Sequence, residues 1–201
     1  MLENLKPISK DAILGIMALF RADSNIEKID LSVGVYQDET GITPILDSVK
    51  KAEAQLIEAQ ETKSYVSISG NSIFNSSIQN LIFGKNHQAI ESGRVSTIQT
   101  PGGSGGLCIA AHLIARSNSK AKVWVSNPSW PNHSPLLKLS GITIEQYPYY
   151  NYENHSINFD LMLSEINRAN KGDLILLHGC CHNPSGSDLS NEQWKELGYL
   201  L

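Results

Sequence analysis

A chain of 201 residues, 41% of them hydrophobic, is long enough to bury a sizeable core, either as one large domain or as part of something larger. Its net charge of −4, with 18% charged residues, leaves no basic stripe of the kind that holds nucleic acid or an anionic membrane. The opening MLENLKPISKDAILGIMALFRAD lacks the basic start and unbroken apolar run of a secretory signal, and no stretch approaches a membrane span. The cysteines Cys108, Cys180 and Cys181 are odd in number and two are adjacent, which argues against a disulfide framework and for a reducing compartment. The expectation is a soluble cytoplasmic protein with no nucleic-acid or membrane partner.

In chain order, residues 9–20 (SKDAILGIMALF) read as a short amphipathic helix capped by Ser9, with Ile13, Ile16 and Phe20 on one stripe. The run IDLSVGVYQDETGITPIL is β-like and closed by turn chemistry at Glu39–Thr40–Gly41 and Pro44. Residues 48–60 (SVKKAEAQLIEAQ) combine good helix formers with helical apolar spacing, and 71–84 predict a second helix ended by Gly84. From there strands and helices alternate. Strands are expected over 94–100, 122–126, 143–150 and 173–178, and helices over 104–117, 133–141, 159–170 and from 190 onward, capped by Ser190. That alternation argues βαβ units and a mainly parallel sheet, in which the continuous apolar run Leu174–Leu177 suits a strand covered on both faces.

In such sheets ligands sit beyond the carboxyl ends of the strands, and three of these ends carry chemistry. In TPGGSGG, glycines meet a helix N-terminus. Exposed N–H groups and the positive end of the helix dipole there make an anion site, usually for phosphate, with Gly102 and Gly103 permitting close approach and Ser104 adding a hydroxyl. No Lys–Ser/Thr pair follows, so this is not a Walker loop, and the spacing misses the dinucleotide fingerprint. A tight turn without a ligand would use the same glycines. In SNPSWPNH, Pro128 and Pro131 fix a loop that holds Trp130, whose face could stack on a planar ring or cover the sheet edge as a core residue; either X–Pro bond could be cis. In HGCCHNPSG, the spacing of His178, Cys180, Cys181 and His182 is too compact for a structural zinc site, so no metal is expected. The two histidines read as satisfied, half-buried residues and the cysteines as carrying no chemistry, while Asn183–Pro184 forms a rigid polar turn suited to presenting an amide. A phosphate cradle, an aromatic plate and an amide on neighbouring strand ends suit a flat, phosphorylated, aromatic cofactor.

These residues resemble the class I aminotransferases that use pyridoxal 5′-phosphate, specifically the aspartate/aromatic amino acid group. The resemblance is carried by VGVYQDETGITPILDSVKKAE (33–53), TKSYVSISG (62–70), QTPGGSGGL (99–107), VWVSNPSWPNH (123–133) and DLILLHGCCHNPSG (173–186). It implies the fold type I of such enzymes, with residues 1–43 as N-terminal arm and small-domain segment and 44–201 as the N-terminal part of an incomplete cofactor-binding large domain. It also implies that Gly102, Gly103 and Ser104 bind the cofactor phosphate, that Trp130 stacks on its ring and that Asn183 bonds its phenolic oxygen. His133 would support the aspartate that pairs with the ring nitrogen, and Tyr65 would reach the phosphate of a neighbouring subunit in a homodimer. Val33 and Gly34, with Trp130 and Asn183, would line the substrate side.

The activity implied is transfer of an amino group between aspartate or an aromatic amino acid and a 2-oxo acid such as 2-oxoglutarate. In the family the lysine that anchors the cofactor lies downstream of the Asn183 motif, and no lysine here stands at such a place. The expectation is therefore a family fragment, about half the family's length, that is inactive alone. The alternative is a non-catalytic truncated relative that binds cofactor weakly or binds only a partner subunit. The sequence departs from the family pattern at Ser32, Ser67, Ser69 and Cys108, where Gly, Gly, Asp and Arg are usual; Gly-to-Ser is mild in a turn and costly at positive φ.

Overall fold

The computed structural model describes Glu3, residues 12–30 and residues 34–201, with the backbone alone for 12–14. They fall into two compact units, Met1–Ser64 and Tyr65–Leu201.

In the first unit α1 spans Ala12–Ala22 and α2 spans Asp47–Ala59. The cap expected at Ser9 lies outside the described residues, as do Ser32 and Val33. Ile16 is exposed and Phe20 half-buried beneath Lys28, whose ammonium lies 4.5 Å from the ring centroid and donates to the Phe20 and Asp23 carbonyls. The turn expected at 39–41 is present. The Asp38 carboxylate accepts the N–H groups of Thr40 (2.9 Å) and Ile42 (3.0 Å), and Gly41 takes φ +77°. The strand expected around it is not: no strand occurs among its described residues. An alternating pattern becomes a strand only where a partner supplies the ladder.

The second unit opens with α3 (Ser72–Phe83), where the Asn71 side chain accepts the N–H groups of Ile73 and Phe74 and Gly84, at φ +86°, ends the helix. A single-turn α4 (Gln88–Glu91) follows, capped by His87. Residues 94–100 form no strand, contrary to expectation; Arg94 N–H bonds the Ala89 carbonyl and Gln99 N–H the Ser69 carbonyl (both 2.9 Å), Thr97 Oγ1 accepts from the Gln79 amide, and the Gln99 side chain accepts Asn71 N–H. Then come α5 (Gly102–Ser117), β1 (Lys122–Asn127), α6 (His133–Lys138), β2 (Thr143–Pro148), β3 (Tyr150–Asn151), β4 (Ser156–Ile157), α7 (Phe159–Ile166), β5 (Leu174–Ile175) and α8 (Asn191–Leu200).

The sheet is parallel with order β2-β1-β5, and Val123 lies opposite both Ile144 and Leu174. The strand expected over 143–150 stops at Pro148; Tyr149 N–H still bonds the Asn127 carbonyl, and the chain then turns into the small antiparallel β3–β4 pair. Alternation along β1 sends Val123 and Val125 to one face, where they meet Ala111 of α5 and Leu137 of α6. Trp124 faces the other side with Tyr147, Met162 and Ile166 of α7 and Leu197 of α8. A sheet covered by helices on both faces is the doubly wound arrangement the alternation predicted. Burying side chains as fully as Val123 and Met162 contributes about 1.5–3 kcal/mol each. Leu174 and Leu176 serve the first cluster and Ile175 and Leu177 the second, yet all four are only half-buried, because β5 has a strand on one side alone among the described residues.

Candidate functional site

The glycine run begins α5. Gly102 takes φ +69°, which a side chain would strain, and a Cβ added at Gly102 or Gly103 would meet nothing within 4 Å. The N-cap position is Pro101, which has no side chain able to accept a hydrogen bond, so the first turn of this 16-residue helix is uncapped. Ser104 is exposed beside it. Gly105 has a different purpose: its Cβ would lie 2.8 Å from the Pro101 ring, so the glycine admits the proline against the helix.

The ends of β1 and β5 lie side by side because the strands are parallel neighbours. After β1, the Asn127–Pro128 bond is cis and Trp130 is half-buried, its ring edge-on to His133 at 5.2 Å. His133 is 9% exposed, shares a 2.8 Å hydrogen bond with Ser129 Oγ, and lies 5.2 Å from His178. After β5, His178 Nδ1 accepts the N–H of Asn183 at 3.1 Å, and the Asn183–Pro184 bond is also cis. Trp130, His133, His178 and Asn183 therefore form one line of contacts across two strand ends. Trp130 is not among the buried core residues; the buried indole is Trp124, whose Nε1 donates to Asp173.

Sequence reasoning set His182 aside, and the structure makes it a strut. It is 2% exposed, its ring stacks on Tyr149 at 3.9 Å, and its two nitrogens bond Ser126 Oγ of β1 (3.0 Å) and Ser185 Oγ (2.8 Å). Burial, reinforced by the neighbouring His178, lowers its pKa to about 4, so the ring is neutral near pH 7. Burial also lowers the pKa values of His133 and His178, in the first case helped by repulsion from His178. Because His178 Nδ1 accepts, its proton sits on Nε2, a buried donor with no protein partner. The orphan donor of His178 fits a polar acceptor, and the helix end that no side chain caps, with open space above its glycines, fits an anionic group.

The other expected residues are placed as follows. Tyr65 opens the second unit fully exposed, with a relative accessibility of 106%. Gly34 is exposed in the first unit, and Val33 lies outside the described residues. Ser67 and Ser69 do not have positive φ; their hydroxyls bond each other at 2.8 Å and Ser67 Oγ bonds the Gly70 carbonyl, so serine is unstrained at both positions. Cys108, Cys180 and Cys181 are free thiols.

The sequence profile of the family "Aminotransferase class I and II" matches residues 26–200. The chain is 48% identical over 200 residues to an aspartate aminotransferase of Escherichia coli and 42% identical over 201 residues to an aromatic-amino-acid aminotransferase of Paracoccus denitrificans, in each case across all of this chain and half of the relative. Its structure matches that of an aromatic-amino-acid aminotransferase from Burkholderia pseudomallei, described as covalently bound to pyridoxal phosphate, with TM-score 0.95 at 38% identity, again over all of this chain and half of that one. The chain thus spans about half the length of the curated relatives it matches, and its parallel sheet with flanking helices is the fold of those class I enzymes. This chain belongs to the class I and II aminotransferases, in the group that includes the aspartate and aromatic-amino-acid enzymes.

Proposed function

We propose that this chain provides one side of the pyridoxal 5′-phosphate site of an aminotransferase that moves an amino group between aspartate or an aromatic amino acid and a 2-oxo acid such as 2-oxoglutarate. The observation that carries the reading is the N-terminus of α5, which no side chain caps and no Cβ fills. Gly103 and Ser104 hold the phosphoryl group through N–H donors and a hydroxyl, and Gly102, whose own N–H bonds the Thr100 carbonyl at 2.8 Å, leaves the approach to them open. Trp130 stacks on the heterocycle, and the Asn183 amide donates to its phenolic oxygen, favouring the anionic form. When bound, pyridoxal phosphate supplies an electron sink for charge developing at the substrate α-carbon. His133, kept neutral by burial and by His178, supports the group that pairs with the ring nitrogen. Val33 and Gly34 line the substrate carboxylate side, and Tyr65 reaches the phosphate site of a second copy, which makes the assembly a homodimer in the cytoplasm. In this division of labour residues 1–43 form the arm and small-domain segment and 44–201 belong to the large domain.

Titration with pyridoxal phosphate and with pyridoxal, followed by tryptophan fluorescence, tests the site. Ser104→Asp places a negative charge at the cradle and is expected to weaken the phosphorylated ligand at least about tenfold while leaving pyridoxal unchanged. If the unaltered protein bound both ligands equally well, the assignment would be lost. A second reading is a relative that binds cofactor weakly or binds only a partner; among the described residues no lysine stands at the carboxyl end of a sheet strand. The 201 residues alone are accordingly expected to show no 2-oxoglutarate-dependent turnover of aspartate or tyrosine; steady turnover would exclude that second reading.

A further inference from the structure

The turn that carries Asn183 is held in an unusual way. Three consecutive N–H groups, those of Cys181, His182 and Asn183, each donate to a side chain. Cys181 N–H donates to Asp188 Oδ2 (2.7 Å), His182 N–H to Asp188 Oδ1 (2.9 Å), and Asn183 N–H to His178 Nδ1 (3.1 Å). Cys181 is left-handed at φ +52°, one of three non-glycine residues in that region among the described residues. Its conformation therefore needs something to hold it. The carboxylate does so by accepting both N–H groups at once, and these donors in turn keep its pKa below the usual carboxylate range. Beyond the turn, Gly186 N–H closes on the His182 carbonyl at 2.7 Å, and the Tyr149 hydroxyl donates to the Ser187 carbonyl at 2.6 Å, so the segment that returns to Asp188 is pinned to the sheet.

We infer that Asp188 is a positioning residue: its carboxylate grips the two amides immediately before Asn183 and so sets where the Asn183 amide stands. The inference rests on the assignment of Asn183 as a cofactor ligand. Asp188 touches no reacting atom in this scheme; it acts through the backbone of the turn, with His182, bonded to Ser126 of β1, anchoring the same turn to the sheet. An alanine at 188 frees both amides. An asparagine keeps one acceptor oxygen and turns its amino group toward the other N–H, so its effect should lie between those of aspartate and alanine.

The test uses the whole protein and three readouts: affinity for pyridoxal phosphate by tryptophan fluorescence, the pH midpoint of the bound cofactor's visible band, and thermal unfolding. Asn183→Ala is expected to weaken affinity about tenfold and raise the midpoint, since it removes a hydrogen bond to the anionic form. Asp188→Ala is expected to reproduce both shifts, and the double variant to add little to either single change, because both act through one contact. Asp188→Asn supplies the same comparison should the alanine variant not fold. If the Asp188 variants lowered the melting temperature while leaving affinity and midpoint unmoved, in a protein where Asn183→Ala moved both, the positioning role would be refuted. Full additivity in the double variant would refute it as well. If Asn183→Ala moved neither readout, the cofactor assignment of Asn183 would be the statement that failed, and the role of Asp188 would fall with it.

Discussion

His182 shows how burial and a neighbouring histidine set a protonation state. Its pKa of about 4 in the folded chain lies below the ordinary value of 6.5, so above about pH 6.5 it is neutral in both states and contributes no pH dependence. As the pH falls, the unfolded chain takes up the proton first, and stability is lost between about pH 6.5 and pH 4. The loss from this residue is on the order of 3 kcal/mol. His133 and His178, whose pKa values are also lowered, push in the same direction. Urea midpoints measured across that range should fall steeply, and less steeply in His182→Gln; parallel slopes would show that His182 is not the buried neutral base described. At Gly102, φ of +69° makes Gly102→Ala cost about 1 kcal/mol, whereas Gly103→Ala, in open space without positive φ, should be close to neutral in the same assay. Trp130 and Asn183 could be picked out from the chain because each stands in a Pro-containing loop that follows a strand of the sheet, and the glycines because they crowd at the start of a helix. Asp188 could not, since an acid in a polar loop carries no mark of the two amides it accepts.

Helices were the readable elements because their ends are decided locally. α8 begins at a capping box, in which Ser190 accepts Gln193 N–H and the Gln193 side chain returns to Ser190 N–H. Ser190→Ala should lower stability by about 1 kcal/mol in denaturant titrations, with no effect expected on ligand titration. The segments 29–46 and 94–100 have the composition of strands, and among their described residues neither forms one, because strand formation needs a partner's ladder that composition does not reveal. The bond of Gln99 to Ser69 does supply a close approach there: a Cβ on Gly70 would lie 2.3 Å from that of Gln99, and Gly70 has φ +91°. Gly70→Ala should therefore destabilise the second unit by more than Gly102→Ala, which thermal unfolding of the two variants would compare directly.

At the scale of the whole molecule, the division at Ser64/Tyr65 falls in residues 60–66, which are exposed and outside any helix or strand. Brief trypsin treatment should cut after Lys63 and leave a resistant fragment containing the sheet and both of its clusters. Rapid loss of that fragment would show that the second unit does not hold together by itself. The sequence by itself determined the βαβ order, the helix limits at Asn71, Gly84 and Ser190, the glycine run that opens α5, and membership of the aminotransferases, since each is written in contiguous residues. Tertiary structure alone decided that Trp124 and not Trp130 fills the core, that three histidines converge at two strand ends, and that Asp188 reaches back to the Asn183 turn. Those outcomes depend on strand pairing and burial between residues distant in sequence, and a pattern of neighbours along one chain does not encode which distant groups will meet.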